Sequence, residues 1–321
     1  MTALFLRVAL RPALCALTVG GLLAMGTFGA FAGEPLRGVI AADALATRLG
    51  DKQLVIVDIR SGDTKEQGKA LFAAGHIPGA VHADYAFASW RLPREKTSVY
   101  LPEPAQFEAL AGDLGIAPES DVVVVHDGND ATSFGAAARV YWSFKAMGHA
   151  SIAVLDGGYR GWAADKARKV EAGASSPVPS IYEANPVPAL RASLEDVLAA
   201  EKSGAVLVDS RPESFFTGLE KHKAVAAFGH IPGAISIPHS RALDADHKLK
   251  PRAELEKVYA QTSQAPVTIA YCNTGHWGAT DWFVMSEILG QKNAKLYDGS
   301  MLEYTLEKKG SVANPRAGSG T

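Results

Sequence analysis

The stretch Ala205-Val206-Leu207-Val208-Asp209-Ser210-Arg211 is a short apolar run that stops at Asp-x-Arg, and the chain writes it twice, first as Leu54-Val55-Ile56-Val57-Asp58-Ile59-Arg60. Downstream of each copy comes the same turn sequence, Gly75-His76-Ile77-Pro78-Gly79-Ala80 and then Gly229-His230-Ile231-Pro232-Gly233-Ala234. A β-branched run follows, Val122-Val123-Val124-Val125 in one copy and Val267-Thr268-Ile269-Ala270-Tyr271 in the other. Both runs lead through a glycine-containing loop to a helical pattern that ends at a glycine, over 134–148 and 277–290. Each copy closes on Asp-Gly, as Leu155-Asp156-Gly157-Gly158 and Tyr297-Asp298-Gly299-Ser300. The Asp-x-Arg and Asp-Gly aspartates stand about a hundred residues apart, too far for a solenoid repeat and right for a duplicated domain.

Short apolar strands alternating with helical stretches predict parallel sheets covered on both faces. The expected fold class is therefore α/β, with two domains, each an open, mainly parallel sheet carrying helices on both faces. Ligands are expected beyond the carboxyl ends of the strands. The length of 321 residues fits two domains better than one hydrophobic core. The predicted boundaries are 36–171 for the first domain and 190–310 for the second. Between them, 172–189 is rich in proline and reads as a semi-extended linker draped over the surface. The tail 311–321 carries Gly, Ser, Asn and Pro and is expected to hang loose. A hydrophobic fraction of 47% and a formal net charge of −2 exclude a mostly disordered chain and offer no bulk field for nucleic acid.

Residues 1–32 differ in kind. They hold no acidic residue, their only basic side chains are Arg7 and Arg11, and an apolar run ends at Ala30-Phe31-Ala32. A basic start, an apolar middle and an Ala-x-Ala box predict a secretory signal cleaved after Ala32 and an exported, periplasmic product with no stable membrane association. A retained anchor is the alternative. Cleavage would remove Cys15 and leave Cys272 as the sole thiol. A lone cysteine in an oxidising compartment is either an inert buried residue or a group kept for its reactivity.

Cys272 follows an apolar strand and precedes a helical pattern, with Asn273-Thr274-Gly275-His276-Trp277 between. A loop so placed can turn successive N–H groups inward as a nest at the positive end of a helix, stabilising a thiolate. Gly275 would let the chain curl where a Cβ obstructs it. A thiolate in a nest suits sulfur transfer by a ping-pong route through a persulfide. The alternative for Cys272 is a small hydrophobe at a strand end. His276 either attracts an anionic donor as imidazolium or is a surface histidine without a task. Trp277 either walls the pocket or packs into the helix–sheet interface. His76 and His230 recur in both copies and read as architecture, as do Asp58 and Asp209.

These motifs together resemble the rhodanese family in its tandem form, over roughly 36–309. The resemblance implies a sulfurtransferase with a silent first domain and a nucleophilic cysteine, here Cys272, opening a six-residue loop in the second. It implies a small anionic sulfur donor, a thiophilic acceptor such as cyanide or a thiol, and no cofactor. Arg211 matches a family position near the donor anion, which implies substrate binding; an ion pair with a nearby carboxylate is its alternative, and the only role expected of Arg60. In the first copy the matching place for the nucleophile is read as Asp127, which cannot attack a sulfane sulfur. Asn273-Thr274 is neither the basic loop of thiosulfate-using members nor the Cys-Gly-Ser-Gly start of mercaptopyruvate-using ones, so both donors stay open.

Three other functions compete with this reading. A cysteine phosphatase needs an arginine six residues after its nucleophile, and position 278 is Gly. A thiol oxidoreductase needs a resolving cysteine, and there is no Cys-x-x-Cys. A non-catalytic exported module that binds an anion or a partner remains as the alternative function. No metal site is expected, since the nine histidines are scattered.

Overall fold

The computed structural model describes Met1, residues 34–94 and residues 97–316. The proposed signal 1–32 lies, apart from Met1, outside the described residues, as do the last five residues of the tail. Among the described residues no helix is long and apolar enough to cross a membrane.

The first half contains β1 (Val39–Ile40), β2 (Leu54–Asp58) and β3 (Val81–His82), a short hairpin of β4 (Leu92–Arg94) and β5 (Thr97–Tyr100), then β6 (Asp121–Val125) and β7 (Ile152–Leu155). Its sheet has the order β1-β7-β6-β2-β3, with every pairing parallel. The second half contains β8 (Val206–Asp209), β9 (Ile235–Ser236), β10 (Thr268–Tyr271) and β11 (Ala294–Leu296), in the order β11-β10-β8-β9, again all parallel. The counterpart of β1 is reduced to a single parallel bridge between Arg191 and Leu296. The expected pair of α/β domains is thus present. Val122, Val123, Val124 and Val125 are all fully buried, which explains why the central strand carries no alternation.

The expected helix over 134–148 is the helix Ala131–Ala146, opened by Asp130, whose side chain accepts from the Ser133 amide. The pattern over 277–290 is α-helical only at Gly278–Phe283 and continues as a π-turn over Val284–Ile288. These two helices pack on each other. Phe134 meets Phe283 edge-on at 5.6 Å, and Tyr141 meets Phe283 at 4.8 Å and Trp282 at 6.3 Å. Tyr141, Trp282 and Phe283 are fully buried, so residues 35–316 form one compact unit with a core shared between the halves. The connecting segment lies along the first half, with Tyr182 buried between Phe107 and His149.

The tail departs from expectation. Ala313 exchanges two main-chain hydrogen bonds with His230, and Tyr304 donates to the Ser311 carbonyl. Residues 311–316 are therefore docked rather than loose, because the turn at His230 offers unpaired main-chain groups that the tail satisfies.

Candidate functional site

Register fixes where the two equivalent loops begin. In the first half Asp58 is level with Val125; in the second Asp209 is level with Tyr271. The residue matching Cys272 is therefore His126, not Asp127. The Asp-Gly turns agree: Tyr159 N–H donates to the His126 carbonyl, and Met301 N–H to the Cys272 carbonyl. The corrected position still lacks a thiol. His126 is buried, its Nδ1 accepts from the Gly128 amide, and burial holds its imidazole down at about 4.

Cys272 leaves the end of β10 and is only 1% exposed. The loop curls at Gly275, whose φ is +70°; a Cβ there would stand 2.6 Å from both the Asp298 carbonyl oxygen and Arg139 Nη1. The loop amides were expected to converge on the sulfur, but two of them are directed elsewhere. The amides of Cys272 and Gly275 donate to Ser300 Oγ at 3.1 and 3.0 Å, and that hydroxyl donates to the Tyr297 carbonyl at 2.8 Å. Ser300 stands where the first half has Gly158 and shares its left-handed backbone, with φ +52° against +58°. Nothing in the sequence besides this Gly-to-Ser difference signals its role.

The rest of the loop docks on the first half. His276 Nε2–H donates to the Thr132 carbonyl at 2.8 Å, and Trp277 Nε1–H to Thr132 Oγ1 at 3.2 Å. Arg139, fully buried in the first half's long helix, donates to the Gly275 carbonyl at 3.1 Å and faces Asp298 at 3.7 Å. Burial, assisted by Arg91, holds the His276 imidazole down at about 3. The shift favours the neutral ring over the imidazolium. Trp277 is half-buried at the junction and stacks on His239 at 4.8 Å. Sequence reasoning missed Thr132 and Arg139, since a carbonyl acceptor and a lone helical arginine carry no pattern.

Arg211 is a correction. It is 1% exposed, and its Nε and Nη2 donate to the two Asp209 oxygens at 2.8 and 2.5 Å, while Nη2 also reaches the Gly229 carbonyl. Arg60 makes the same contacts with Asp58 and the Gly75 carbonyl. An arrangement repeated in the half without a thiol, with the guanidinium already engaged, is a structural ion pair and not a donor site. His76 and His230 are likewise architectural. Their Nδ1–H groups donate to the Phe72 and Phe216 carbonyls, and their rings stack on those phenylalanines at 3.8 and 3.7 Å. Among the described residues no cluster of side chains could hold a metal ion.

The rhodanese-like domain model matches residues 41–165 and 193–307. A thiosulfate sulfurtransferase of Corynebacterium glutamicum is 34% identical over 280 residues, covering 83% of this chain and 87% of that protein. The crystal structure of SseA from Escherichia coli, described among 3-mercaptopyruvate sulfotransferases, matches with a TM-score of 0.69 and 27% identity over 82% of this chain and 98% of its own. Tum1 of Saccharomyces cerevisiae shares the fold, with a TM-score of 0.71 at 22% identity, covering 88% and 99% of the two chains. With two matched domains around one loop-borne thiol, this chain belongs to the rhodanese family.

Proposed function

We propose that the protein is a sulfurtransferase that carries a sulfane sulfur on Cys272. One observation carries this reading. The only free thiol among the described residues opens a tightly curled loop at the carboxyl end of a central parallel strand, where α/β sheets place their ligands. The naming of the Corynebacterium relative supports it. With thiosulfate, the Cys272 thiolate attacks the outer sulfur. The S–S bond of the donor breaks, its electron pair leaves with sulfite, and a cysteine persulfide remains. Cyanide or a thiolate then attacks the outer sulfur of the persulfide, and the electron pair returns to Cys272. No external oxidant or cofactor enters. 3-Mercaptopyruvate serves equally in the first half-reaction, with the C–S bond breaking and pyruvate leaving after protonation. The first half, without a thiol at His126, carries no sulfur.

Mass spectrometry of the protein after exposure to each donor tests the reading. A one-sulfur adduct on Cys272, absent from Cys272→Ser, is expected from the true donor. A folded wild type that takes up no sulfur from either, or a Cys272→Ser variant that still turns over, overturns it. The first outcome would favour the non-catalytic binding module, which the near-complete burial of Cys272 also suits. We further propose that residues 1–32 direct export, which the N-terminal sequence of protein recovered from a periplasmic fraction would test.

A further inference from the structure

A guanidinium is a poor way to fill the interior of a helix. Arg139 is fully buried midway along Ala131–Ala146, where Ala138, Val140, Tyr141 and Trp142 beside it are apolar and equally buried. Charged side chains are almost never buried so completely unless they are engaged. Even then, a well-packed apolar residue often stabilises as much. Nor does the duplicated fold require this arginine. Helix Gly278–Phe283 and its π-turn Val284–Ile288, which follow the second loop, contain neither arginine nor lysine. The buried Asp-Arg pairs and the stacked histidines recur in both halves; a buried charge that does not recur has a task at one loop only.

That loop is the one after Cys272. Arg139 Nη1–H donates to the Gly275 carbonyl at 3.1 Å, while Nη2 faces Asp298 at 3.7 Å and the guanidinium lies over the Trp142 ring at 4.9 Å. Gly275 is held on its other side too. Its amide donates to Ser300 Oγ at 3.0 Å, and the same oxygen accepts from the Cys272 amide at 3.1 Å. Three hydrogen bonds in series therefore run from the first half to the backbone of Cys272. Gly275, at φ +70° and without a side chain, offers little torsional resistance of its own. The curl depends on what grips the peptide groups at either side of it, and Arg139 grips the one that leads to His276.

Resting on the sulfurtransferase reading, we propose that Arg139 is a positioning residue for Cys272: from the first half it holds the Gly275–His276 peptide group and so fixes the backbone that presents the thiol. It acts through the loop and not on the donor. Loading and discharge of the sulfur should therefore depend on it alike, because both use the same cysteine.

Single-turnover kinetics of Arg139→Met test this. The maximal rate of persulfide loading, from thiosulfate or 3-mercaptopyruvate, whichever loads the wild type, should fall by about 10- to 100-fold, the scale of a misplaced reacting group. Discharge to 2-mercaptoethanol should fall equally, and the donor concentration at half-saturation should stay within about twofold. Arg139→Lys, which keeps a cationic donor, should recover part of both rates. Asp298 retains Arg191 and the Leu101 amide in either variant, so the urea midpoint should shift only by the loss of the bond to Gly275. Amide hydrogen exchange reads the loop without turnover: protection over 272–276 should drop about tenfold, the scale of one hydrogen bond to a charged group, with that of β10 unchanged. A raised half-saturation at unchanged maximal rates would make Arg139 a donor-binding group and overturn the assignment. So would unchanged rates and protection in the folded variant, or protection lost throughout the chain, β10 included. A wild type that takes up no sulfur would instead remove the sulfurtransferase reading, and the exchange measurement would still decide whether Arg139 holds the loop.

Discussion

Ser300→Ala deletes one hydroxyl that three buried main-chain groups share. The amides of Cys272 and Gly275 lose their acceptor and the Tyr297 carbonyl loses its donor. Each buried group left unpaired costs about 1–3 kcal/mol, less where water can enter, so a net loss of about 2–4 kcal/mol is expected. Ser300→Gly loses the same bonds but relaxes the left-handed backbone at φ +52°, which returns about 1 kcal/mol. The expected order of stability is wild type, then Gly, then Ala. Urea unfolding with a constant m value measures it. The same hydroxyl holds two loop amides in place, so single-turnover persulfide formation should slow by about 10- to 100-fold in both variants, as misplacement of a reacting group does. An alanine variant that matches wild type in both midpoint and loading rate would refute the reasoning. A glycine variant less stable than alanine would refute the strain component alone.

Two further outcomes follow from buried charges. Arg211→Met leaves Asp209 fully buried without its cationic partner, with only the Tyr271 hydroxyl and a main-chain amide still donating to it, so it should cost about 3–5 kcal/mol of stability while the donor KM of the folded fraction stays unchanged; a selective rise in KM at full stability would restore Arg211 to the substrate site. Asp281 is fully buried, and burial raises its carboxyl to about 7 against the hydrogen bond from Tyr259. A carboxyl raised in the folded state favours folding fully below its unfolded pKa of about 4, and that contribution is lost as pH climbs to about 7. Asp281→Asn should therefore flatten the decline in stability between about pH 4 and 7; an unaltered pH profile by chemical unfolding would show that Asp281 ionises normally.

The duplicated fold was legible because both copies keep the residues that backbone geometry demands. Asp58 and Asp209 anchor identical arginines, and His76 and His230 cap identical aromatic stacks. That repetition also marked the histidines as architecture. The thiol and the curl at Gly275 were equally readable, since strand, cysteine and glycine are adjacent in sequence. Arg211 misled because a resemblance places a residue type, whereas its partners decide whether the guanidinium has capacity left. The equivalence of Cys272 with His126 was missed because it depends on sheet register, which a loop of different length conceals. Contacts such as His276 to the Thr132 carbonyl leave no trace in composition or periodicity, because any residue at 132 carries a carbonyl.

The same contacts explain why the first half is not a spare part. The loop after Cys272 has three side-chain hydrogen bonds to it, two at Thr132 and one from Arg139. Asp298, whose carbonyl confines Gly275, accepts from the Leu101 amide of the first half and from Arg191 beside β11. Helix Gly278–Phe283, which begins where the loop ends, buries Trp282 and Phe283 against Tyr141 and Phe134. Deleting the first half would expose that apolar face, at a cost of about 25 cal/mol for every Å² returned to water, and would release the Gly275 carbonyl in the same event. A copy without a thiol at His126 therefore has no such nucleophile of its own, whereas removing that copy would remove the surface on which the proposed nucleophile, Cys272, is positioned.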